Sequence, residues 1–558
     1  MSARTRNFLI IIALVALTCA AMGRVVRNDF LNWDDRQMLV ENPLVGHLTG
    51  HNLAAIWRGP ILKLYTPLAF TVWAVVAKIF GVNPTVFHGL NLSVHLVCVV
   101  LVFAILRRIL ITWRPTSENA TNDLAAFLGA AIFAVHPLQV EAVAWVSGFN
   151  NLLAGMFGLG AIYFYLIDRQ EKDSSLAGSP YHGKYVSATV LLVLAMLSKP
   201  TAVVVPLVVM VIHRLVFRGS WKEILRWVGP WVLIAVVFAG IASHVQPAAT
   251  VKAPGLWARP IIAGDAVGFY LGKILVPLNL NVDYGRTPSG VGEHWLIGAM
   301  VVVALLALWI SGLRRSVLGI GIAVLVVALL PVLGLRAFDF QRYSTVADRY
   351  VYLGMLGVSI FAAVIARRWR FPVALIVLAL AVMSARQKSW WRDTETLFNH
   401  TLALNPQSFA AHKALGFVAA SANRIDEAEM HYAAALELQP EDGEVHYDLA
   451  NLLNLNMNDP ARSLAHYRAA IADRPNDARI ELNYGVALVK LRDLSGAENA
   501  YRRALEIDPN YPEAHANLGW LYELRGQIAE AREQYRQALG VDPQCGLALR
   551  GLQRIGPR

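Results

Sequence analysis

Two carboxylates stand side by side at Asp34 and Asp35, within Asn28-Asp29-Phe30-Leu31-Asn32-Trp33-Asp34-Asp35-Arg36. Adjacent carboxylates at an apolar surface repel one another and lose solvation, which can raise one pKa and fit the pair for base and orienting partner. Read alone, the pair is also an ordinary solvated loop that starts a helix. Downstream, His88, Asn91 and His95 lie along one helical face. The i, i+7 spacing of the two histidines does not suit a metal, so hydrogen bonds between helices are the expected role, and no metal site is assigned. His136-Pro137-Leu138-Gln139-Val140-Glu141 follows, and then Trp145-Val146-Ser147-Gly148. Basic residues come next: Lys199 in Ser198-Lys199-Pro200, then Arg336, Arg342 and Arg349, the last beside Asp348. Arginine gives planar two-point contacts to a phosphate and lysine a point charge, so Lys199, Arg342 and Arg349 are candidates to hold a lipid-linked phosphate. His88, His95, His136 and Glu141 are candidates to shape the same cavity and position an acceptor.

The elements that carry these residues are apolar runs. Of 558 residues, 56% are hydrophobic and 16% charged, against about 25% charged in soluble globular proteins. The excess apolar surface must face lipid. Residues 8 to about 385 hold the runs, and the remainder, from Arg386, is rich in Ala, Glu, Arg, Tyr and Asn. The net charge of +11 sits largely in short clusters at the ends of apolar runs, a membrane-topology pattern rather than a nucleic-acid one. These are Arg4 and Arg6; Arg107 and Arg108; Lys172 and Lys184; Arg214, Arg218 and Lys222; Arg314 and Arg315; Arg367, Arg368 and Arg370. All fall on the cytoplasmic side if spans lie near 8–23, 86–106, 124–140, 151–167, 185–199, 202–217, 227–244, 295–313, 316–335, 349–366 and 371–385, about eleven in all. The apolar stretches 66–80 and 261–280 are then expected at the outer surface or as re-entrant segments; crossing as a pair would put several basic clusters on the wrong side. The first apolar run, without a convincing cleavage site, reads as an uncleaved span. Cys19 and Cys98 lie inside apolar runs and Cys545 has no evident partner, so no disulfide framework is expected.

Past residue 385 the sequence repeats. Pro406, Pro440, Pro475, Pro509 and Pro543 are spaced by 34, 35, 34 and 34 residues, the tetratricopeptide (TPR) period. An aromatic stands eight residues before each proline (Phe398, Tyr432, Tyr467, Tyr501, Tyr535), and an alanine five before the last four. Glycines recur at Gly416, Gly485 and Gly519, where paired helices must approach closely. The reading is a half repeat at 386–408, repeats at 409–442, 443–477, 478–511 and 512–545, and a capping helix at 544–554. Asn483 and Asn517 share a repeat position, where they would either hold a peptide backbone or form plain polar surface.

The order of these pieces resembles the transmembrane and tetratricopeptide-repeat O-mannosyltransferases, relatives of the protein O-mannosyltransferases. The resemblance is carried by Asn32-Trp33-Asp34-Asp35, Tyr65-Thr66-Pro67-Leu68, Phe87-His88-Gly89-Leu90-Asn91-Leu92-Ser93-Val94-His95, His136-Pro137-Leu138-Gln139-Val140-Glu141, Leu197-Ser198-Lys199-Pro200, Asp283-Tyr284 and Asp348-Arg349-Tyr350. It implies an all-α chain with a GT-C-like transmembrane helix bundle (residues 1–385) followed by a TPR α-solenoid (386–558). It implies an inverting glycosyltransferase that takes mannose or a similar hexose from a polyprenyl-phosphate donor. Transfer would be to Ser or Thr of acceptor proteins on the non-cytoplasmic side, with base chemistry at Asp34 and Asp35 and the array binding the acceptor. No cofactor is assigned beyond the donor substrate, a divalent cation is left open, and membrane lipid and an acceptor protein or peptide are the expected partners, not nucleic acid. Where the family leads one to expect an arginine and then an aspartate after the glycine matching Gly148, this chain has Phe149-Asn150-Asn151. That departure keeps a non-catalytic, membrane-anchored TPR scaffold as the competing reading, with a transporter or flippase behind it. Compact loops point to a bacterial inner membrane with the array in the periplasm or outside; the alternative is the endoplasmic reticulum with a lumenal array.

Overall fold

Long apolar runs favour helices because a backbone removed from water must satisfy its own polar groups. The structure, a computed structural model, describes residues 2–62, 64–113, 119–174, 183–245, 254–288 and 291–556. Among the described residues the elements are helical, with no strand beyond an isolated bridge between Ile61 and Leu64. The chain divides into two compact units, Met1–Pro406 and Gln407–Arg558.

In the first unit, five helical stretches are long and apolar enough to cross a membrane: 4–27, 84–113, 146–170, 221–245 and 370–391. A sixth candidate is a pair, 120–135 and 137–144, bent by 53°. Six further apolar helices, 67–80, 183–198, 200–215, 295–310, 317–332 and 355–366, are shorter than the roughly 20 residues a crossing needs. The reading of about eleven spans counts most of these short helices as crossings, which length and composition alone do not establish. Two breaks have local causes. Pro137 lacks an N–H and ends the helix Asn119–Val135 at His136, whose side chain accepts from the Leu138 N–H. Pro200 forces Lys199 into an extended conformation (φ −158°, ψ 127°) between the helices Gly183–Ser198 and Val205–Leu215.

One end of this unit is tied by charge. Arg6, near the start of the first helix, and Arg107, near the end of the helix Pro84–Trp113, both pair with the buried Asp123. Arg108 donates to Gln170 of the helix Phe149–Ser174 at 2.7 Å. Three basic residues from the first two clusters therefore share one end of the bundle. The Lys172 side chain lies outside the described residues.

The second unit repeats one motif. Helix pairs run Phe409–Ser421 with Ile425–Leu438, Gly443–Asn451 with Pro460–Asp473, Ala478–Lys490 with Leu494–Ile507, and Pro512–Leu524 with Ile528–Val541, and Gly546–Ile555 ends the chain. Ser408, Asp442 and Asp477 cap the first helix of successive pairs. Tyr432, Tyr501 and Tyr535 pack so closely on Gly416, Gly485 and Gly519 that an added Cβ would lie 2.7, 2.5 and 2.9 Å from the rings. The single 35-residue spacing has a structural counterpart. The extra residue is taken up in a π-helical turn, Leu452–Asn456, in that repeat alone of the array, widening one turn without breaking the pairing.

Of the segment 386–408, read from sequence as a half repeat opening the array, residues up to Pro406 lie within the first compact unit. The helix Thr394–Leu404 and the turn Lys388–Trp391 before it have their partners there, as the next section describes.

Candidate functional site

At the end of the bundle opposite Arg6 and Arg107, residues 28–35 leave the first helix and are held from several directions. Asn28 Nδ2 donates to the Trp391 carbonyl at 2.9 Å, the Asp29 N–H to the Arg392 carbonyl at 2.9 Å, and the Asn32 N–H to Thr394 Oγ1 at 2.8 Å. Trp33 stacks on Trp145, with ring centroids 5.4 Å apart, and meets Phe398 edge-on at 5.7 Å. The supposed half repeat thus anchors the acidic loop.

The two aspartates are not equivalent. Asp35 is fully buried and accepts three hydrogen bonds: Leu31 N–H at 3.0 Å on Oδ2, and Ser147 N–H at 2.9 Å and Oγ–H at 2.5 Å on Oδ1. Ser147 can reach it because the chain turns sharply at Gly148, where a Cβ would sit 2.7 Å from the Ala142 carbonyl oxygen. Asp34 is less buried as a residue than Asp35, and among the described residues no hydrogen bond to its carboxylate is recorded. Burial lifts its pKa from 3.8 to about 6, against the opposing pull of the Arg349 guanidinium. Burial also lifts Asp35 to about 6, opposed first by the Ser147 hydroxyl. The carboxyl with that pKa and no recorded donor is suited to accept a proton near neutral pH; a saturated one is suited to hold a loop.

Arg349 links the loop to a cavity. Its guanidinium and backbone N–H both engage the buried Glu141, and it lies over Phe340, Tyr350 and Trp145, 4.3, 4.9 and 5.1 Å from their centroids. Beside it lies a small, partly open pocket lined by Arg349, Lys199, Asn151, Thr201, Tyr350 and Tyr352 among others. Lys199 Nζ donates to Asn151 Oδ1 and lies 5.7 Å from the Tyr350 centroid. Of the three cations assigned to phosphate, the structure brings Lys199 and Arg349 together. Arg342 is exposed, packs over Tyr343 and is not among the lining residues.

The histidines tie helices together. His95 Nε2–H donates to the Ala134 carbonyl at 3.1 Å, leaving Nδ1 to accept from Tyr352 OH at 2.8 Å. His136 Nδ1 accepts the Leu138 N–H, and its Nε2–H donates to the Ile274 carbonyl at 3.1 Å. His88 Nε2 bonds the Asp29 carbonyl at 3.3 Å, a further hold on the acidic loop. Glu141 meets Arg349 rather than open space. Asp348 accepts from Tyr284 OH at 2.7 Å. Ser147 stands in a motif to which the sequence assigns no role, and Trp391 and Thr394 in none; their partners lie far away in the chain and leave no periodic trace. Among the described residues no group of three or more His, Cys, Asp or Glu side chains could hold a metal.

In the array, Asn483 Nδ2 donates to Tyr447 OH at 2.9 Å and Asn451 Oδ1 at 3.0 Å, bridging to the preceding repeat. Asn517 donates to its own helix, to the Glu513 carbonyl at 2.8 Å. The shared repeat position does not produce a uniform ladder.

Tetratricopeptide-repeat profiles match residues 447–512 and 488–555. Among solved structures, YrrB, a TPR protein with an unusual peptide-binding site, matches 31% of this chain and 88% of its own at 23% identity and a TM-score of 0.27. MamA from Desulfovibrio magneticus RS-1 matches 27% and 85% at 18% identity and a TM-score of 0.26. A protein O-mannosyl-transferase of Caenorhabditis elegans is 24% identical over 472 residues, 78% of this chain and 63% of that one. Protein O-mannosyl-transferase TMTC4 of Mus musculus is 24% identical over 475 residues, 73% and 63%, and TMTC3 of Homo sapiens 23% over 538 residues, 78% and 57%. The chain thus spans somewhat less than two thirds of the length of these relatives. Over most of its own length, it aligns with homologues named protein O-mannosyl-transferases and ends in tetratricopeptide repeats.

Proposed function

We propose that this protein is a membrane protein O-glycosyltransferase that moves a mannose or similar hexose from a polyprenyl phosphate to a Ser or Thr hydroxyl of an acceptor protein. The observation that carries this reading is that Asp34 lies within the electrostatic reach of Arg349, which also lines the pocket beside Lys199. The names of the homologues support the same chemistry.

In the proposed reaction the acceptor hydroxyl loses its proton to Asp34 as its oxygen bonds to the anomeric carbon. The bond from that carbon to the phosphate oxygen breaks on the opposite face, so the configuration inverts. The electron pair leaves with the lipid phosphate, whose growing charge Lys199 and Arg349 stabilise. Asp35 positions the loop through Ser147 rather than accepting the proton. Transfer takes place on the non-cytoplasmic side, the side opposite the basic clusters, in a bacterial inner membrane or its endoplasmic-reticulum equivalent. The array holds the acceptor. The test is transfer to a co-expressed acceptor, read by intact mass. General-base catalysis contributes ~10²–10⁴-fold, so Asp34→Asn abolishes measurable transfer. Undiminished transfer by that variant removes Asp34 from the mechanism.

A further inference from the structure

The two cations on the cavity wall are balanced differently. Arg349 has a buried carboxylate, Glu141, as its counter-ion. Lys199 has none: among the described residues no carboxylate lies within ion-pair distance of its ammonium, and its recorded hydrogen bond is to the Asn151 amide oxygen. That amide is fixed in orientation. Its Nδ2 donates to Asn150 Oδ1 at 2.8 Å and approaches the Gly148 carbonyl at 3.4 Å, so only the oxygen is left to face Lys199. An ammonium has three donors and no acceptor, and one donor to Asn151 leaves others for a ligand in the cavity that both residues line.

A carboxylate at position 151 would have the same shape and would hold Lys199 as well, but it would also cancel the charge. We propose that Asn151 is a positioning and specificity residue: it orients Lys199 with a dipole rather than a charge, so that no carboxylate beside it competes with an anionic phosphate of a lipid ligand in the cavity for the lysine. This rests on the polyprenyl-phosphate reading above. It assigns a role to the asparagine itself, at the place where the chain departs from the pattern of the family that it resembles.

The experiment measures binding of polyprenyl phosphate, the leaving group of the proposed reaction, to the full chain in nanodiscs, for wild type, Asn151→Asp, Lys199→Gln and the double variant. An aspartate at 151 pairs with the Lys199 ammonium and takes up the charge that would otherwise face the phosphate, so Asn151→Asp weakens binding by about 10-fold or more. Lys199→Gln loses a similar amount. Because Asn151 acts through Lys199, the further loss caused by Asn151→Asp in the Lys199→Gln background is much smaller than in wild type. Wild-type affinity in Asn151→Asp, with Lys199→Gln impaired, overturns the role of Asn151 and leaves the lipid-phosphate reading standing. An equal loss from Asn151→Asp in both backgrounds also overturns it. Failure of wild type to bind the lipid, or binding of inorganic phosphate as tightly as the lipid, overturns the underlying reading and this inference with it.

Discussion

Replacing either aspartate of the acidic loop with asparagine removes one negative charge, yet the structure gives the two substitutions different consequences for stability. Asp34 has its pKa lifted from 3.8 to about 6. The fold therefore disfavours its ionised form by about 3 kcal/mol at 1.36 kcal/mol per unit, reduced to about 1–2 kcal/mol because the group keeps some contact with solvent. The carboxylate accepts no hydrogen bond that asparagine would lose, so Asp34→Asn is expected to raise stability by that amount near pH 7.5. The folded protein binds the extra proton between pH 4 and 6, so wild type loses stability as pH rises through this window, and the advantage of the variant shrinks below about pH 4. Asp35→Asn gains similar relief from its buried charge. It also places an NH2 group against either the Leu31 N–H or the two Ser147 donors, at a cost of about 1–3 kcal/mol, and the remaining bonds lose their charge assistance. Its net effect is zero or destabilising. Apparent melting of the detergent-solubilised chain, followed by tryptophan fluorescence at pH 7.5, should rank Asp34→Asn above wild type and Asp35→Asn at or below it. An Asp34→Asn variant that melts below wild type, or an Asp35→Asn variant as stable as Asp34→Asn, would show that the division of roles between the two carboxyls is wrong.

Within the array, Gly485→Ala drives a Cβ to within 2.5 Å of the Tyr501 ring and should cost about 1–3 kcal/mol by overpacking. Tyr501→Phe should be neutral or stabilising, since the buried Tyr501 hydroxyl has no hydrogen-bond partner; circular dichroism melts of the full chain distinguish the two. His412 and His431 face each other through Nδ1 atoms 3.0 Å apart, and His446 and His466 through Nδ1 atoms 2.9 Å apart. Burial and the partner ring hold His431 and His466 below the usual imidazole pKa, with Glu427 and Arg424 near the first and Arg462 and Glu429 near the second. The stability they give is complete above the unfolded value of about 6.5 and is lost as pH falls below it. The melting transition of the array should therefore move down between pH 7 and 5, and a His431→Gln, His466→Gln double variant should flatten that dependence.

The repeat array was legible in the sequence because its constraints recur. Each tyrosine must fill the space over a small residue of the facing helix, and each proline must follow a finished helix, so the same chemistry returns every 34 residues. The anomaly at 35 was visible as a number but not as a π-helical turn, since either helix of the repeat or a loop could have absorbed the extra residue. The acidic loop was also legible as a place where charge gathers beside an apolar span, and Lys199 and Arg349 as cations worth placing with it. What holds that loop was not legible. The Ser147 to Asp35 hydrogen bonds join residues 112 positions apart, and Asn28, Asp29 and Asn32 reach segments more than 350 residues on. Such contacts occur once, obey no period and depend on the packing of the whole unit. For the same reason residues 386–406 read locally as repeat, because Phe398 stands eight residues before Pro406, while Trp33 claims that same phenylalanine for the bundle. Arg342 shows the converse error: proximity in sequence to Arg349 suggested a shared cavity, but the short helix Asp339–Arg342 leaves its side chain exposed over Tyr343.

The central claim is that a lipid phosphate sits between Lys199 and Arg349 within reach of the acidic loop. The most direct measurement is a cryo-EM map of the full chain in nanodiscs saturated with polyprenyl phosphate. The account predicts head-group density in the pocket lined by Asn151, Lys199, Thr201 and Arg349. Density for the lipid bound elsewhere, with that cavity empty at saturation, would contradict it.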